Sequence, residues 1–175
     1  SRVVAVAAAV MIAAQLVMVA IMTMTPVHML AHGHSLAAAG LVIAVHVGAM
    51  YLPSPLSGWL VDRLGPRLVA VSSGITLLFA GVVAMAAPVN SVPVLAVALA
   101  LLGLGWSFGL VSGTAMLAAA LPLATRARTQ GTVDLWIAIA GATGGLASGI
   151  VVATSSFATL ALLGGIVAAS VVPIA

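Results

Sequence analysis

The chain has 175 residues, of which 64% are hydrophobic and 4% charged, too few charges to solvate the surface of a soluble domain of this size. Its formal charge of +3 comes from five Arg against two Asp, and five scattered Arg cannot build the clustered basic face that a nucleic acid requires. With no Cys, disulfides and thiolate metal sites are excluded as well, and an all-α membrane protein is what remains.

A spanning helix needs about 20 mostly apolar residues. Six runs qualify, at 3–25, 36–60, 68–87, 92–121, 131–153 and 157–172. They predict a single six-helix transmembrane bundle over residues 1–175. The first run opens Ser1-Arg2 rather than with Met and lacks a signal-peptide cleavage site, and Ile174 and Ala175 end almost inside the last run. Both features suggest a piece of a longer chain.

The first run carries Gln15 in its middle, able to donate and accept, so that it either lines a cavity or makes an interhelical hydrogen bond. Pro26 marks its expected edge. His28, His32 and His34 follow in the first connection; three imidazoles can be drawn as a metal site, but no carboxylate or thiol lies on that side, so no metal is expected and the cluster is taken to shape a mouth. In the second run His46 lies about ten residues deep, where a charged imidazole is costly and its proton affinity movable. It is the candidate for proton coupling, against the alternative of a neutral imidazole bonded to another helix. Tyr51 is open between cavity and packing roles. Pro53 and Pro55 inside this run predict a kink or local unwinding.

The connection from Gly58 to Arg67 reads GWLVDRLGPR. Asp62 and Arg63 close the second span, Gly65 permits a tight turn, and Pro66 suits the first position of the third span. Arg67 then sits in a helix's first turn, where the macrodipole disfavours a cation, so lipid phosphate or an acidic partner is expected to compensate it. The third run has no ionisable side chain. The fourth carries Trp106, open in the same way as Tyr51, and a glycine at every fourth position, Gly105, Gly109 and Gly113. Gly141, Gly145 and Gly149 repeat the spacing in the fifth run; such faces let helices approach closely, or rock against each other. If Gly131 caps the fifth span, Asp134 stands in a first turn favoured by the dipole, near Arg126, Arg128 and Arg63, either as a structural ion pair or as a charge relay with the Asp62 loop. The sixth run again has no ionisable group, so spans three and six are expected to be peripheral and the other four to line a cavity.

Every Arg falls before span one, between spans two and three, or between spans four and five. The positive-inside rule therefore predicts both termini of the segment on the cytoplasmic side of a plasma (inner) membrane. The polar residues suit a 3+3 inverted repeat, with the third helix of each triplet outside.

Gly58, Asp62, Arg63, Gly65 and Arg67 give the chain its resemblance to the major facilitator superfamily, whose signature loop joins the second and third helices of a half. The resemblance covers all six runs in order and spacing. Pro66 departs from the usual Arg, and span four, LLGLGWSFGLVSGTAML from Leu101 to Leu117, looks like a tenth helix, which together favour the C-terminal half of a twelve-helix chain. The resemblance implies that Asp62 and Arg63 help hold the cytoplasmic side closed through contacts with neighbouring helix ends. It also implies half of a secondary active transporter moving a small solute by alternating access, with a proton-coupled exporter as one form. Its partners would be the lipid bilayer, the other six-helix half of the same chain, the solute and protons. No full charge lies at cavity depth, which favours a neutral, lipophilic or cationic solute. No cofactor is called for, and one His, one Asp and scattered Ser do not assemble an enzyme. The alternative is a non-transporting membrane scaffold or receptor-like domain.

Overall fold

The computed structural model describes residues 2–174; Ser1 and Ala175, on which part of the reading of a cut chain rests, lie outside the described residues. Seven helices follow in order: α1 (Arg2–Ala31), α2 (Leu36–Tyr51), α3 (Ser54–Leu64), α4 (Pro66–Ala86), α5 (Val92–Ala120), α6 (Leu123–Thr154) and α7 (Phe157–Ala169), with a 3-10 turn at Val172–Ile174. Helices α2 and α3 continue one rod, so six segments are long and apolar enough to cross a membrane.

The joint between α2 and α3 falls where the prolines require it. Pro53 and Pro55 have no amide hydrogen, so the carbonyls of Ala49 and Tyr51 have no donor four residues on. Leu52 N still reaches Gly48 O at 2.9 Å, and Ser57 N restarts the ladder on Pro53 O at 2.8 Å. The expected kink is therefore present as a break. At the end of α3, Gly65 adopts φ 84° and ψ 151°, a conformation close to glycine-only, and Pro66 opens α4 where its missing donor costs nothing.

Two boundaries differ from expectation. Helix α1 continues through Pro26 to Ala31, which puts His28 in its last turn rather than in a loop; one lost backbone bond is tolerated in a long, packed helix. Helix α6 begins at Leu123, not Gly131, because the polar stretch 123–130 contains strong helix formers and no breaker. Gly131 is not a cap, and Asp134 lies about three turns into the helix, beyond reach of the terminal dipole.

Helix α5 is central, packed on α4, α2 and α1; α1 also carries α6 and α7, and α4 lies on α7. The bundle thus has a front layer of α2–α3, α5, α1 and α6 and a back layer of α4 and α7. The layering agrees with two helices set apart, yet they are not the least buried: only 17% of the α6 span and 22% of the α2–α3 span are buried, against 50% for α5. The front rods present most of their surface outward.

Glycine contacts bring backbones together. A Cβ on Gly103 of α5 would stand 2.5 Å from His46 O on α2, one on Gly144 of α6 2.7 Å from Leu16 O on α1, and one on Gly81 of α4 2.5 Å from Ala161 O on α7. Along α5 the spaced glycines are all packed, Gly105 against Leu77, Gly109 against Ser73 and Ala14, and Gly113 against Met11. On α6 the buried face runs Gly141, Gly144, Ser148, shifting off the expected Gly145 and Gly149, and Gly149 has open space where a Cβ would be. Hydroxyls stitch the seams: Ser73 Oγ donates to Gly105 O at 2.6 Å, and Ser57 and Ser107 share a hydrogen bond at 3.1 Å.

Candidate functional site

At mid-length of their rods, α1, α5 and the end of α2 bring together three of the residues singled out from the sequence. Trp106 Nε1 donates to Gln15 Oε1 at 2.7 Å, and the Tyr51 ring meets Trp106 edge-on, with centroids 5.8 Å apart and planes at 74°. The Gln15 amide nitrogen rests near Gly141 of α6, 3.1 Å from where a Cβ would be, so this one side chain touches two neighbouring helices. Beside the aromatic pair lies a cavity of about 340 Å³ whose wall includes Met50, Tyr51, Ser54, Trp106, Ser107 and Thr114. Tyr51 is 59% exposed, so the cavity opens on the front of the bundle. Gln15, left open between two roles, makes the interhelical bond and also stands behind this wall. Ser54, Ser107 and Thr114 were not singled out from the sequence; hydroxyls are so common in apolar spans that only their position beside Trp106 distinguishes them.

Trp106→Phe keeps the ring but removes the indole donor, leaving Gln15 Oε1 without its partner. In the whole protein it is expected to lower stability by about 0.6 to 2 kcal/mol, read as a reduced thermal midpoint, whereas Phe79→Leu on the exposed back of α4 is expected to change little.

His46 is completely buried in the seam between α2 and α5. Its Nδ1–H donates to Leu99 O at 2.9 Å, which fixes the neutral tautomer and leaves Nε2 as an unpartnered lone pair. It is not part of the aromatic cavity.

The signature loop lies at one end. Asp62 and Arg63 occupy the last turn of α3 and Arg67 the first turn of α4, all exposed, with the Arg63 guanidinium 5.7 Å from the centroid of the Trp59 ring. Gly58 has open space around it. Arg2 and Arg67 line a shared crevice of about 280 Å³, and Arg126 donates to Leu121 O at 3.3 Å at the end of α5, where a cation meets terminal carbonyls favourably. The arginines therefore gather at one end of the bundle. Asp134 is exposed on α6, and neither it nor Asp62 forms an ion pair with Arg126, Arg128 or any other cation among the described residues; a relay of these groups is not assembled within this chain. At the opposite end His32 Nδ1 bonds His28 O and His34 Nε2 bonds Val89 O, each at 2.8 Å, while His28 stacks on Phe157 at 4.5 Å. These imidazoles stitch α1, α7 and the α4–α5 loop together, and among the described residues they form no group placed to hold a metal.

A sequence model described as Major Facilitator Superfamily matches residues 6–175. The chain is 59% identical over 169 residues to the "Uncharacterized MFS-type transporter YdeG" of Bacillus subtilis (strain 168). It is 53% identical over 169 residues to the "Uncharacterized MFS-type transporter YddS" of the same organism. Each alignment covers 97% of this chain and 39% of the relative, so the chain spans well under half the length of these curated relatives. A third relative, the riboflavin transporter RfnT of Brucella anthropi, is 35% identical over 114 residues, 65% of this chain and 28% of that protein.

Proposed function

We propose that this chain, which belongs to the major facilitator superfamily, forms one six-helix half of a secondary active transporter that moves a small solute by alternating access. Members of this family are multi-pass membrane transporters rather than enzymes. The observation that carries the proposal is the cluster of Gln15, Tyr51 and Trp106 at mid-depth on three rods, opening on the face where α2–α3 and α6 are least buried. Secondary transporters bind their solutes near the midplane, at an interface between repeats. The other half of the same protein would cover that face, and Pro66 together with the form of span four favours assigning this chain to the second half. The riboflavin transporter among the relatives accords with a planar solute stacked on the aromatic pair.

Packing supports the 3+3 repeat. The first span of one triplet lies on the second of the other in both directions, α1 on α6 and α5 on α2, with α4 and α7 paired behind. The gathering of arginines at one end supports a cytoplasmic placement of that end in the plasma (inner) membrane. Asp62 and Arg63 gate the cytoplasmic side in this reading, and a relay through Asp134, Arg126 and Arg128 would draw its partners from the other half. Proton coupling through His46 rests on its unpartnered Nε2 lone pair. Helix α5, which packs over it, carries no ionisable side chain, so a charged imidazole would have no counter-ion there.

The test is solute flux in vesicles holding the whole protein under an imposed proton gradient. Gradient-driven movement of an uncharged or cationic solute is expected, and no movement across a broad panel would favour a scaffold role. In the same assay a His46→Gln variant is expected to shift the pH profile of transport; an unshifted profile leaves His46 as a bond in the α2–α5 seam. Unchanged flux in Asp134→Asn would remove the relay.

A further inference from the structure

We propose that the fissure between α6 and α7 is a phospholipid site, holding one acyl chain against α1 and the lipid's phosphate at the His28–His32 end. The proposal rests on the membrane-spanning fold and not on transport. Helices α6 and α7 are consecutive, yet each packs more on α1 than on the other. The gap they leave encloses about 140 Å³, with Leu16 and Ala20 of α1, Ala147 and Val151 of α6 and Leu163 of α7 in its wall. Ser148 is the one polar side chain there, and its hydroxyl turns back on its own helix, donating to Gly145 O at 2.8 Å. A cavity lined in this way stays dry and accepts an apolar guest; without one, its lining forfeits dispersion contacts. Leu163 and Val167 in the same wall are 47% and 38% exposed, so the fissure is open at the side. It lies where the front layer ends against α7 of the back layer, at a depth where the bilayer supplies hydrocarbon.

A second cavity, of about 330 Å³, follows on the same three helices toward the end away from the arginines, with Val27, His28 and His32 of α1, Val152 of α6, and Ser156 and Phe157 in its wall. From Leu16 to His28 the two cavities track about 18 Å of α1, at about 1.5 Å per residue. One leaflet's share of the hydrocarbon core is about 15 Å. A chain whose tip lies beside Leu16 therefore brings its phosphate to the level of the imidazoles. The chemistry at that level suits an anion. His28 and His32 are neutral or cationic, never anionic, and Phe157 opens α7, whose first turn is the positive end of that helix. The chain's two carboxylates are remote from it, Asp62 in the last turn of α3 and Asp134 in the first half of α6. A phosphate therefore meets no like charge from this bundle, while its acyl chain occupies the dry part of the lane.

The experiment uses the whole protein, delipidated in detergent, with its thermal midpoint read by scanning fluorimetry. Three probes are compared at equal concentration: dioleoylphosphatidylglycerol; dioleoylglycerol, which keeps the chains and lacks the phosphate; and glycerol 3-phosphate, which keeps the phosphate and lacks the chains. Saturating phosphatidylglycerol is expected to raise the midpoint by at least about 3 °C, and neither of the other two to do so. Ala147→Phe, at an exposed position of the fissure wall, puts a ring where the chain would lie. It is expected to keep the lipid-free midpoint and abolish the rise, whereas Leu162→Phe, on α7 but outside the wall, keeps both. His32→Ala is expected to raise the lipid concentration at half effect by about tenfold. No rise, an equal rise from dioleoylglycerol, a rise that survives Ala147→Phe, or a half-effect concentration unmoved by His32→Ala would overturn the site. So would a lipid-free midpoint already lowered in Ala147→Phe, because the fissure would then be filled by the rest of the protein.

Discussion

Gly103→Val is expected to destabilise the whole protein by about 3 kcal/mol, the upper end of the usual cost of overpacking, and to reduce recovery of monodisperse protein in detergent. The reason is the kind of atom that would be struck. At Gly103 the added carbon meets the backbone of α2 at His46 O, Met50 N and Ala49 C, at 2.5, 3.0 and 3.2 Å. A side chain can change rotamer to make room; a helix backbone yields only by moving the whole rod. Opening that seam would also stretch the His46–Leu99 bond and pull Tyr51 away from Trp106. Without a hydrophobic force between helices in lipid, close backbone approach at small residues is what holds such rods together, so the seam has little to replace what it loses. Gly149→Val supplies the contrast: its Cβ would meet nothing within 4 Å, and the variant is expected to fold normally. A fall in flux at Gly149 would then support the proposal that this surface faces the other half of the transporter. Normal thermal stability of Gly103→Val, measured by scanning fluorimetry, would mean that α2 and α5 are farther apart in the working protein than this packing requires.

The contrast between these glycines shows which parts of the fold the sequence discloses. Local steric rules are legible: the break at Pro53 and the turn at Gly65 follow from a missing donor and from a missing Cβ, whatever surrounds them. Helix ends at the membrane surface are not, because hydropathy marks where lipid stops and not where hydrogen bonding stops; the polar, largely exposed stretch 123–130 is helical, and Pro26 sits inside a helix that lipid-facing composition alone would have ended. Packing register is harder still. Gly144 and Gly145 are equivalent as letters, and their assignment to the seam depends on the position of Leu16 on α1. The pairing of Gln15 with Trp106, 91 residues apart, and the contact of His46 with Leu99 depend on the same long-range arrangement. The site was therefore legible as a set of unusual residues in four of the spans, but not as a set of neighbours, and the separation of His46 from the Gln15–Trp106–Tyr51 cluster emerges only when the helices are packed.

Asp62→Asn is expected to lower transport by the whole protein at least about tenfold, while leaving its thermal stability unchanged or raised by up to about 1 kcal/mol. The two halves of that expectation have separate physical causes. Within this chain Asp62 is poorly placed: it occupies the last turn of α3, where the terminal carbonyls already carry partial negative charge, and removing its charge relieves that repulsion. Arg67 is misplaced in the opposite sense, in the first turn of α4. Arg63 between them is at the favourable end and rests against Trp59. Two exposed charges of opposite sign, each set against the dipole of its own helix and neither in an ion pair among the described residues, have no stabilising role that this bundle supplies. In the proposed two-half transporter such charges would find partners at the contact with the rest of the protein on the arginine-rich end, and a contact made in one state of the cycle and released in the other would bias alternating access. Flux and stability measured on the same preparation separate the readings. Flux lost with stability intact assigns Asp62 to a state-dependent contact, whereas both lost together would make it a fixed brace. Flux retained would reduce the loop to its arginines, as anchors of topology.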